Sequence, residues 1–280
     1  MPLFAIPFPV IDPVLFSVGP LVIRWYALAY VAGLVLGWLV VRRLCASDGL
    51  WAASQKRPTV EDLDDLLVYA ALGVVLGGRI GHVLFYGWPY YSQNPLEILQ
   101  VWRGGMAFHG GLIGVLAAIL IFARRKGLSA LTVFDLFAVV APIGLFFGRI
   151  ANFINQELWG RPTDVPWAFV FPRADDLPRH PSQLYEAGAE GLLLLVVVAL
   201  VVRRVGFRRP GLPAGVFAVG YALARSFCEM YRQPDESEFI NAWFTMGMAL
   251  SLPMLLAGLA LIWRALRRPR LAPATGRPAP

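Results

Sequence analysis

Long apolar stretches constrain this sequence more than any other feature. Seven of them have about the 20 residues that a helix needs to cross a bilayer. They cover residues 21–41, 66–86, 105–123, 131–147, 184–202, 212–230 and 243–263. Only 15% of the 280 residues are charged, against about 25% in soluble domains. We therefore predict an all-α integral membrane protein, a bundle of seven transmembrane helices.

Basic residues lie on alternate sides of the predicted spans. Sixteen of the 25 arginines and lysines fall in the loops after spans one, three and five and in the C-terminal tail. Cytoplasmic segments of membrane proteins are enriched in these residues. The pattern predicts an outside N-terminus and a cytoplasmic C-terminus, with residues 148–183 as a small extracytoplasmic head between spans four and five.

The two ends of the chain differ in composition from its middle. The first residues, MPLFAIPFPVIDP, contain four prolines and no basic residue, so we expect no cleaved signal peptide. Residues 264–280 are rich in proline, alanine and arginine, which is typical of a disordered tail. The predicted membrane domain is therefore 1–263, followed by a disordered basic cytoplasmic tail.

Several kinds of site are excluded by residue usage. The two cysteines lie in separate apolar stretches and form no CxxC motif. The three histidines are not paired at metal-ligand spacing, so we predict no metal and no cofactor. The net charge of +7 is explained by cytoplasmic loops, and we predict no nucleic-acid partner.

The nine remaining basic residues are all arginines, outside the membrane or in the outer part of a span. Arg79, Arg149 and Arg225 are the most informative, because they lie inside or at the mouth of apolar spans. A charge there costs about 2.5–3.5 kcal/mol on insertion scales. The use of arginine without lysine indicates a planar, two-pronged contact with a phosphate or a carboxylate.

The sixth span carries the strongest local pattern. Tyr221, Arg225, Glu229 and Arg232 share one narrow face of a helix. This face must be directed at protein or water. It is either an internal Arg/Glu pair that holds the helices together or a cationic wall for an anionic substrate, and both interpretations stay open.

Two further segments offer polar groups at the outer ends of spans. GRIANFINQE, residues 148–157, holds an arginine, amides and a carboxylate, and Gly160 follows it. His109 lies in GGMAFHGG, where the glycines are expected to leave space beside it. Its ordinary pKa of about 6.5 suits a proton acceptor, although a lone histidine in a span is usually a packing residue. Glycines four residues apart, at 73, 77 and 81 and at 110 and 114, predict close helix packing.

Five segments together resemble a known family. GRIANFINQELWG, HPSQLYEA, GGMAFHGG, IRWYALAY and YALARSFCEMYRQPD resemble blocks of the prolipoprotein diacylglyceryl transferases and occur in that family's order. The resemblance implies an enzyme of the bacterial cytoplasmic membrane with its active site facing the outer leaflet. Such an enzyme moves the diacylglyceryl group of phosphatidylglycerol to the lipobox cysteine in the signal peptide of a prolipoprotein. The reaction forms a thioether and releases glycerol phosphate.

The resemblance also implies site residues. The family's functional positions fall on Tyr26, His109, Arg149, Asn152, Glu157, Gly160, Tyr221, Arg225 and Glu229. We expect Arg149 and Arg225 to bind the phosphate and His109 to take the thiol proton, which makes these three the catalytic residues. The others, with Arg149, are expected to bind substrate, and Glu157 to hold the arginines. Ala27 and His82 stand where glycine and tyrosine are expected, which counts against a catalytic His82.

Two other classes of function stay open from the residues alone. An anion transporter would also use arginines in the outer halves of its spans. It predicts that polar residues continue into the inner halves, which are apolar apart from Asp135. A purely structural scaffold leaves the one-sided arginines without a purpose.

The orientation can be tested directly by chemical labelling. A cysteine placed within residues 161–179 should react with a membrane-impermeant thiol reagent added to intact cells, because the pattern of basic residues places this segment outside. The unmodified protein serves as the control. Labelling only after the membrane is disrupted would contradict the orientation.

Overall fold

The computed structural model describes residues 5–9, 11–19, 21–233 and 244–273. Its helices are α1 (Trp25–Ala46), α2 (Val60–Phe85), α3 (Trp88–Tyr91), α4 (Phe108–Lys126), α5 (Ala130–Ile154), α6 (Ser182–Val205), α7 (Leu212–Glu229) and α8 (Met246–Arg267). In the described part of the chain, six are long and apolar enough to cross a membrane, namely all except α3 and α7. The prediction of a mostly helical, multi-pass membrane protein is confirmed.

The sixth predicted span, residues 212–230, forms α7. This helix has 18 residues, and Arg225 and Glu229 lie in its last turns. It begins after Gly211, which adopts a left-handed conformation with φ 92°. Asp135 of α5 accepts hydrogen bonds from the backbone nitrogens of Gly211 and Ala214 at 2.7 and 2.9 Å. The first N–H groups of α7 therefore have a buried acceptor.

Five short strands accompany the helices. They are β1 (Ile6–Pro7), β2 (Val14–Val18), β3 (Leu21–Arg24), β4 (Phe169–Val170) and β5 (Pro178–Arg179). β2 and β3 form an antiparallel pair, whereas β4 pairs with β1 in parallel and with β5 antiparallel. The first predicted span therefore began too early, because residues 21–24 pair with β2 instead of starting α1.

The described chain forms two compact units. The larger comprises residues 1–53 and 135–280, and the smaller comprises residues 54–134. In the smaller unit, α2 and α4 pack through glycines, as the four-residue spacing predicted. A Cβ atom on Gly77 would lie 2.8 Å from the Cα of Gly114, and one on Gly81 would lie 2.8 Å from the Cα of Gly110. Gly110, the residue after His109, is one of these packing glycines.

Small residues also bring helices of the larger unit together. A Cβ atom on Gly191 of α6 would lie 2.7 Å from the Cβ of Phe146 of α5. A Cβ atom on Gly215 of α7 would lie 2.9 Å from the carbonyl oxygen of Gly258 of α8. At these positions α5, α6, α7 and α8 approach one another closely.

The C-terminal tail starts later than predicted. α8 continues to Arg267, past the predicted start of disorder at residue 264. Residues beyond it are tied to two loops, since Leu271 N donates to Arg208 O and Ala53 N donates to Ala272 O. Two arginine side chains add to these contacts, since Arg209 donates to Ala265 O and Arg270 donates to Arg204 O. Residues 274–280 lie outside the described residues.

Candidate active site

Three helices of the larger unit bring five charged side chains together: Arg149 of α5, Glu186 and Glu190 of α6, and Arg225 and Glu229 of α7. Arg149 Nε lies 3.1 Å from Glu186 Oε2, and Arg149 Nη2 lies 3.2 Å from Glu190 Oε2. Arg225 Nη1 lies 2.6 Å from Glu186 Oε1, and Arg225 Nη2 lies 2.7 Å from Glu229 Oε2. We call these five residues the ion-pair network.

The ion-pair network is largely buried. The side chains of its three glutamates are 0% exposed, and those of Arg149 and Arg225 are 16% and 11% exposed. Arg232 Nη1 also lies 3.9 Å from Glu229 Oε2, so three guanidinium groups face the three carboxylates. Glu186 contacts both Arg149 and Arg225. Loss of one partner from a buried ion pair is strongly destabilising, because the other charge stays buried without compensation. Glu186 therefore sets the distance between the two arginines.

The shape of α6 explains how two of its glutamates reach the arginines. Residues Ala187–Leu193 form a wide, π-helical turn, a feature that is frequent at functional sites. Glu190 lies within this turn, next to the close contact of Gly191 with Phe146. Because Phe146 precedes Arg149 by about one helical turn, this contact brings Glu190 to Arg149.

Glu186 and Glu190 were not among the site residues predicted from the sequence. A signal was present, because two carboxylates four residues apart interrupt an otherwise apolar span. Ionisable residues in membrane-spanning segments are functional candidates by default. Arg149, Arg225 and Glu229 were predicted as site residues, and the structure brings these three together with the two glutamates.

A second group of predicted residues surrounds Asn152, one turn beyond Arg149 on α5. The Asn152 side chain donates to Glu157 Oε2 at 3.1 Å and lies within hydrogen-bonding reach of the Tyr26 hydroxyl. Tyr26 in turn lies 3.2 Å from the hydroxyl of Tyr30. The expectation that Glu157 holds the arginines is wrong. Glu157 accepts from Asn152 and Asn155, and the network arginines are held by other carboxylates.

The loop that carries Glu157 has an unusual backbone. Gln156 and Leu158 adopt positive φ angles of 55° and 56°, which are uncommon outside glycine. Two buried residues at the start of α6 hold this loop. Gln183 donates to the carbonyl oxygen of Glu157 at 2.6 Å, and Ser182 donates to that of Leu158 at 2.8 Å. The segment HPSQLYEA therefore positions Glu157 as well as supplying Glu186.

Gly160 has a backbone role. Its N–H donates to His180 O at 2.9 Å, and a Cβ atom would lie 2.6 Å from the His180 Cβ and 2.8 Å from Tyr231 O. Any side chain there would force these segments apart. Arg179 donates to Gly160 O at 3.0 Å and also pairs with Asp175. The Arg179 hydrogen bond lowers the pKa of the Asp175 carboxyl, and burial lowers the pKa of His180.

Tyr221 and His109 are two further predicted residues. Tyr221 is on α7, one turn before Arg225, and its ring stacks on Phe217 at 6.0 Å. His109 belongs to the smaller unit, where it is the second residue of α4 and is exposed.

The side chain of Arg79, on α2, is hydrogen-bonded to the loop that follows α3. Its guanidinium donates to the carbonyl oxygens of Glu97, Ile98 and Gly104 at 2.6, 2.8 and 2.7 Å. It also lies over the Tyr91 ring, 4.9 Å from the centroid. Arg79 therefore orders the loop that follows α3, unlike Arg149 and Arg225.

Asp135 was the exception in the apolar inner halves of the spans, where a transporter would need further polar groups. Its carboxylate is 0% exposed and accepts the two backbone N–H groups at the start of α7. This contact explains why a carboxylate lies in an apolar span, so Asp135 does not by itself indicate a path for an anion.

Comparisons with known proteins agree with the resemblance in the motifs. The sequence profile of the prolipoprotein diacylglyceryl transferase family matches residues 13–264. A phosphatidylglycerol–prolipoprotein diacylglyceryl transferase from Methylocella silvestris is 57% identical over 266 residues, covering 95% of this chain and 97% of the relative. A protein of the same name from Azospirillum brasilense is 57% identical over 271 residues, covering 95% and 99%. One from Rhodopseudomonas palustris is 49% identical over 282 residues, covering 100% and 98%. The chain belongs to the prolipoprotein diacylglyceryl transferase family.

Proposed function

We propose that this protein transfers the diacylglyceryl group of phosphatidylglycerol to the lipobox cysteine in the signal peptide of a prolipoprotein. The observation that carries the proposal is the ion-pair network, in which two arginines are held side by side in an apolar part of the chain. Arginine pairs of this kind suit a phosphate group. Family membership supports the same reaction.

The reaction needs no nucleophile from this chain. The substrate thiol loses its proton, and its sulfur attacks the glycerol carbon of the diacylglyceryl group. The bond from that carbon to the phosphate oxygen breaks, and glycerol phosphate leaves with the electron pair. A thioether remains on the cysteine.

Arg149 and Arg225 stabilise the negative charge that develops on the departing oxygen. Within the ion-pair network, Arg149 uses Nε and Nη2, and Arg225 uses Nη1 and Nη2. This leaves Arg149 Nη1 and Arg225 Nε for the substrate phosphate. Because Glu186 already fixes both guanidinium planes, little reorganisation is needed during the reaction.

Asn152, Tyr26 and Glu157 orient the lipid head group. They form one hydrogen-bonded group next to Arg149, with donors and acceptors that match the hydroxyl groups of glycerol. Tyr221 and Glu229 of α7 also bind the substrate. Gly160 allows the backbone segments around it to pack closely. In the proposed reaction His109 accepts the thiol proton as a general base.

The site faces the outer leaflet of the bacterial cytoplasmic membrane in this proposal. The alternating basic residues support an outside N-terminus, a cytoplasmic C-terminus and an extracytoplasmic head at residues 148–183. This topology of the membrane domain, residues 1–263, requires α7 as a seventh span. Its 18 residues reach about 27 Å at 1.5 Å per residue, close to the ~30 Å of hydrocarbon.

Arg149→Lys tests the phosphate contact. Lysine keeps the charge but loses the planar fork, so we expect turnover to fall about 10²- to 10³-fold. The assay is mass spectrometry of a lipobox peptide incubated with purified protein and phosphatidylglycerol. Arg103→Lys is the matched control, because that side chain is 62% exposed. Near-normal turnover of folded Arg149→Lys would show that charge alone suffices there.

Glu186→Gln tests how the two arginines are held. Glu186 lies 3.1 and 2.6 Å from the two guanidinium groups, whereas Glu190 approaches Arg225 only to 3.9 Å. One hydrogen bond to a charged group is worth about 1.5–3 kcal/mol, so a loss of about tenfold or more is expected. Glu190→Gln, on the same helix, should lose less. Equal losses in the two variants would refute the bridging role.

His109→Gln tests the base. A positioned general base contributes roughly 10²- to 10⁴-fold, so the variant should insert correctly but react far more slowly at pH 7. Part of the rate should return at higher pH, because a thiol of pKa about 8.5 then ionises unaided. His82→Gln is the control, since that ring packs on Tyr86 and Tyr91. If the variant reacts at pH 7 at a rate close to that of the unmodified protein, His109 is not the base, and the arginines activate the thiol.

A further inference from the structure

Three segments of the larger unit are joined beyond the C-terminal ends of α6 and α8. Phe207 N donates to Leu50 O at 2.7 Å, and Leu271 N donates to Arg208 O at 3.0 Å. The rings of Trp51 and Phe207, both 0% exposed, lie 4.7 Å apart. The loop after α1, the loop after α6 and the chain after α8 therefore form one packed platform.

Two arginines of this platform have an unusual set of partners. Arg208 is only 8% exposed, and its Nε donates to Val205 O at 3.2 Å. Arg270 donates from Nη2 to Arg204 O at 2.9 Å, and its Nε is buried without a hydrogen-bond partner. Within the residues that the structure describes, neither arginine is ion-paired with a carboxylate, and their side-chain hydrogen bonds go to backbone carbonyl oxygens.

The two positive charges lie close enough to affect one another. Burial and the neighbouring Arg270 lower the pKa of Arg208. Each of these side chains brings a positive charge to the platform. Buried charges are normally paired, and two adjacent cations without an anion are unfavourable. In the ion-pair network, by contrast, every guanidinium meets carboxylates.

We propose that Arg208 and Arg270 form a binding site for a phosphate-group anion, separate from the ion-pair network. Arg208 lies three residues beyond the end of α6, whereas Glu186 and Glu190 lie near its start. Two guanidinium groups offer several N–H donors to the oxygens of one phosphate.

The anion is a lipid head group or a free phosphate ion. In the proposed topology the platform faces the cytoplasmic leaflet, where anionic lipids collect near basic segments. A bound phosphate would link the loop after α6 to the chain after α8 through Arg208 and Arg270. Because a ligand that binds only the folded state stabilises it, binding should raise the temperature of unfolding.

Thermal unfolding of the purified full-length protein in neutral detergent tests the site. The probes are dioctanoylphosphatidic acid, dioctanoylphosphatidylcholine and inorganic phosphate, each titrated without substrate. We expect phosphatidic acid to raise the unfolding midpoint in a saturable way and phosphatidylcholine, with the same chains, to have no such effect. A rise with inorganic phosphate as well identifies the phosphate group as sufficient, and a rise with the lipid alone identifies a head group.

The variants assign the effect to the two arginines. Arg270→Gln, at a partly exposed position, should weaken binding of phosphatidic acid at least about tenfold. Arg208→Gln should do the same, and if it fails to fold, Arg270→Gln alone decides. Arg264→Gln is the matched control, because it removes one charge from an exposed position of α8. It should bind like the unmodified protein.

Three outcomes would overturn the proposal. The first is no rise of the midpoint with either phosphate probe. The second is an equal rise with phosphatidylcholine, which would assign the effect to the acyl chains. The third is a response of Arg270→Gln equal to that of the unmodified protein.

Discussion

Charges that water hardly reaches need partners, and the ion-pair network, in which these partners come from other helices, organises the larger unit. Arg149 and Arg225 come from helices that are far apart in sequence, and each is held by glutamates of a third stretch, α6. Because a lone buried charge is costly, the helices are tied to the one arrangement that pairs all of them. The same arrangement puts two guanidinium groups side by side, as the proposed binding of a phosphate group requires.

The close approach of the helices depends on the absence of side chains at a few positions. Gly191 lets α6 touch α5 at Phe146, and Gly215 and Gly258 let α7 touch α8. Gly247, in the first turn of α8, lies against the Glu229 carboxylate, where a Cβ atom would be 3.0 Å from its carbon. Small residues at such points allow backbone contact, so short polar side chains can reach across from one helix to the next.

The beginning of α6 supports two groups of the site at once. Ser182 and Gln183 hold the loop with Glu157 through its carbonyl oxygens, and Glu186 follows after one turn with its carboxylate on the arginines. The positive φ angles of Gln156 and Leu158 are therefore stabilised by buried hydrogen bonds from α6. Strained backbone of this kind persists only where its surroundings hold it. The position of Glu157 and the spacing of the arginines are consequently linked.

The sequence by itself determined the features that depend on neighbouring residues. Apolar runs located the long helices, although some ends differ by up to seven residues, because the cost of exposing backbone and charge to lipid depends on local composition. Helical periodicity put Arg225 and Glu229 on one face, and they are ion-paired. The motifs were specific enough to indicate the family. The short strands were missed, because two to five residues show no clear alternation and their partners are remote.

Only the tertiary structure decided which polar groups meet. Glu186 contacts Arg225 across 39 positions and Arg149 across 37, and no local pattern encodes such a pairing. Arg79 looked as informative as Arg149, yet its donors are taken by carbonyl oxygens of a loop. Asp135 was an isolated charge in the sequence and is a helix cap in the structure. The composition of a span shows that a buried charge needs a partner, whereas the packing of the helices selects which partner it has.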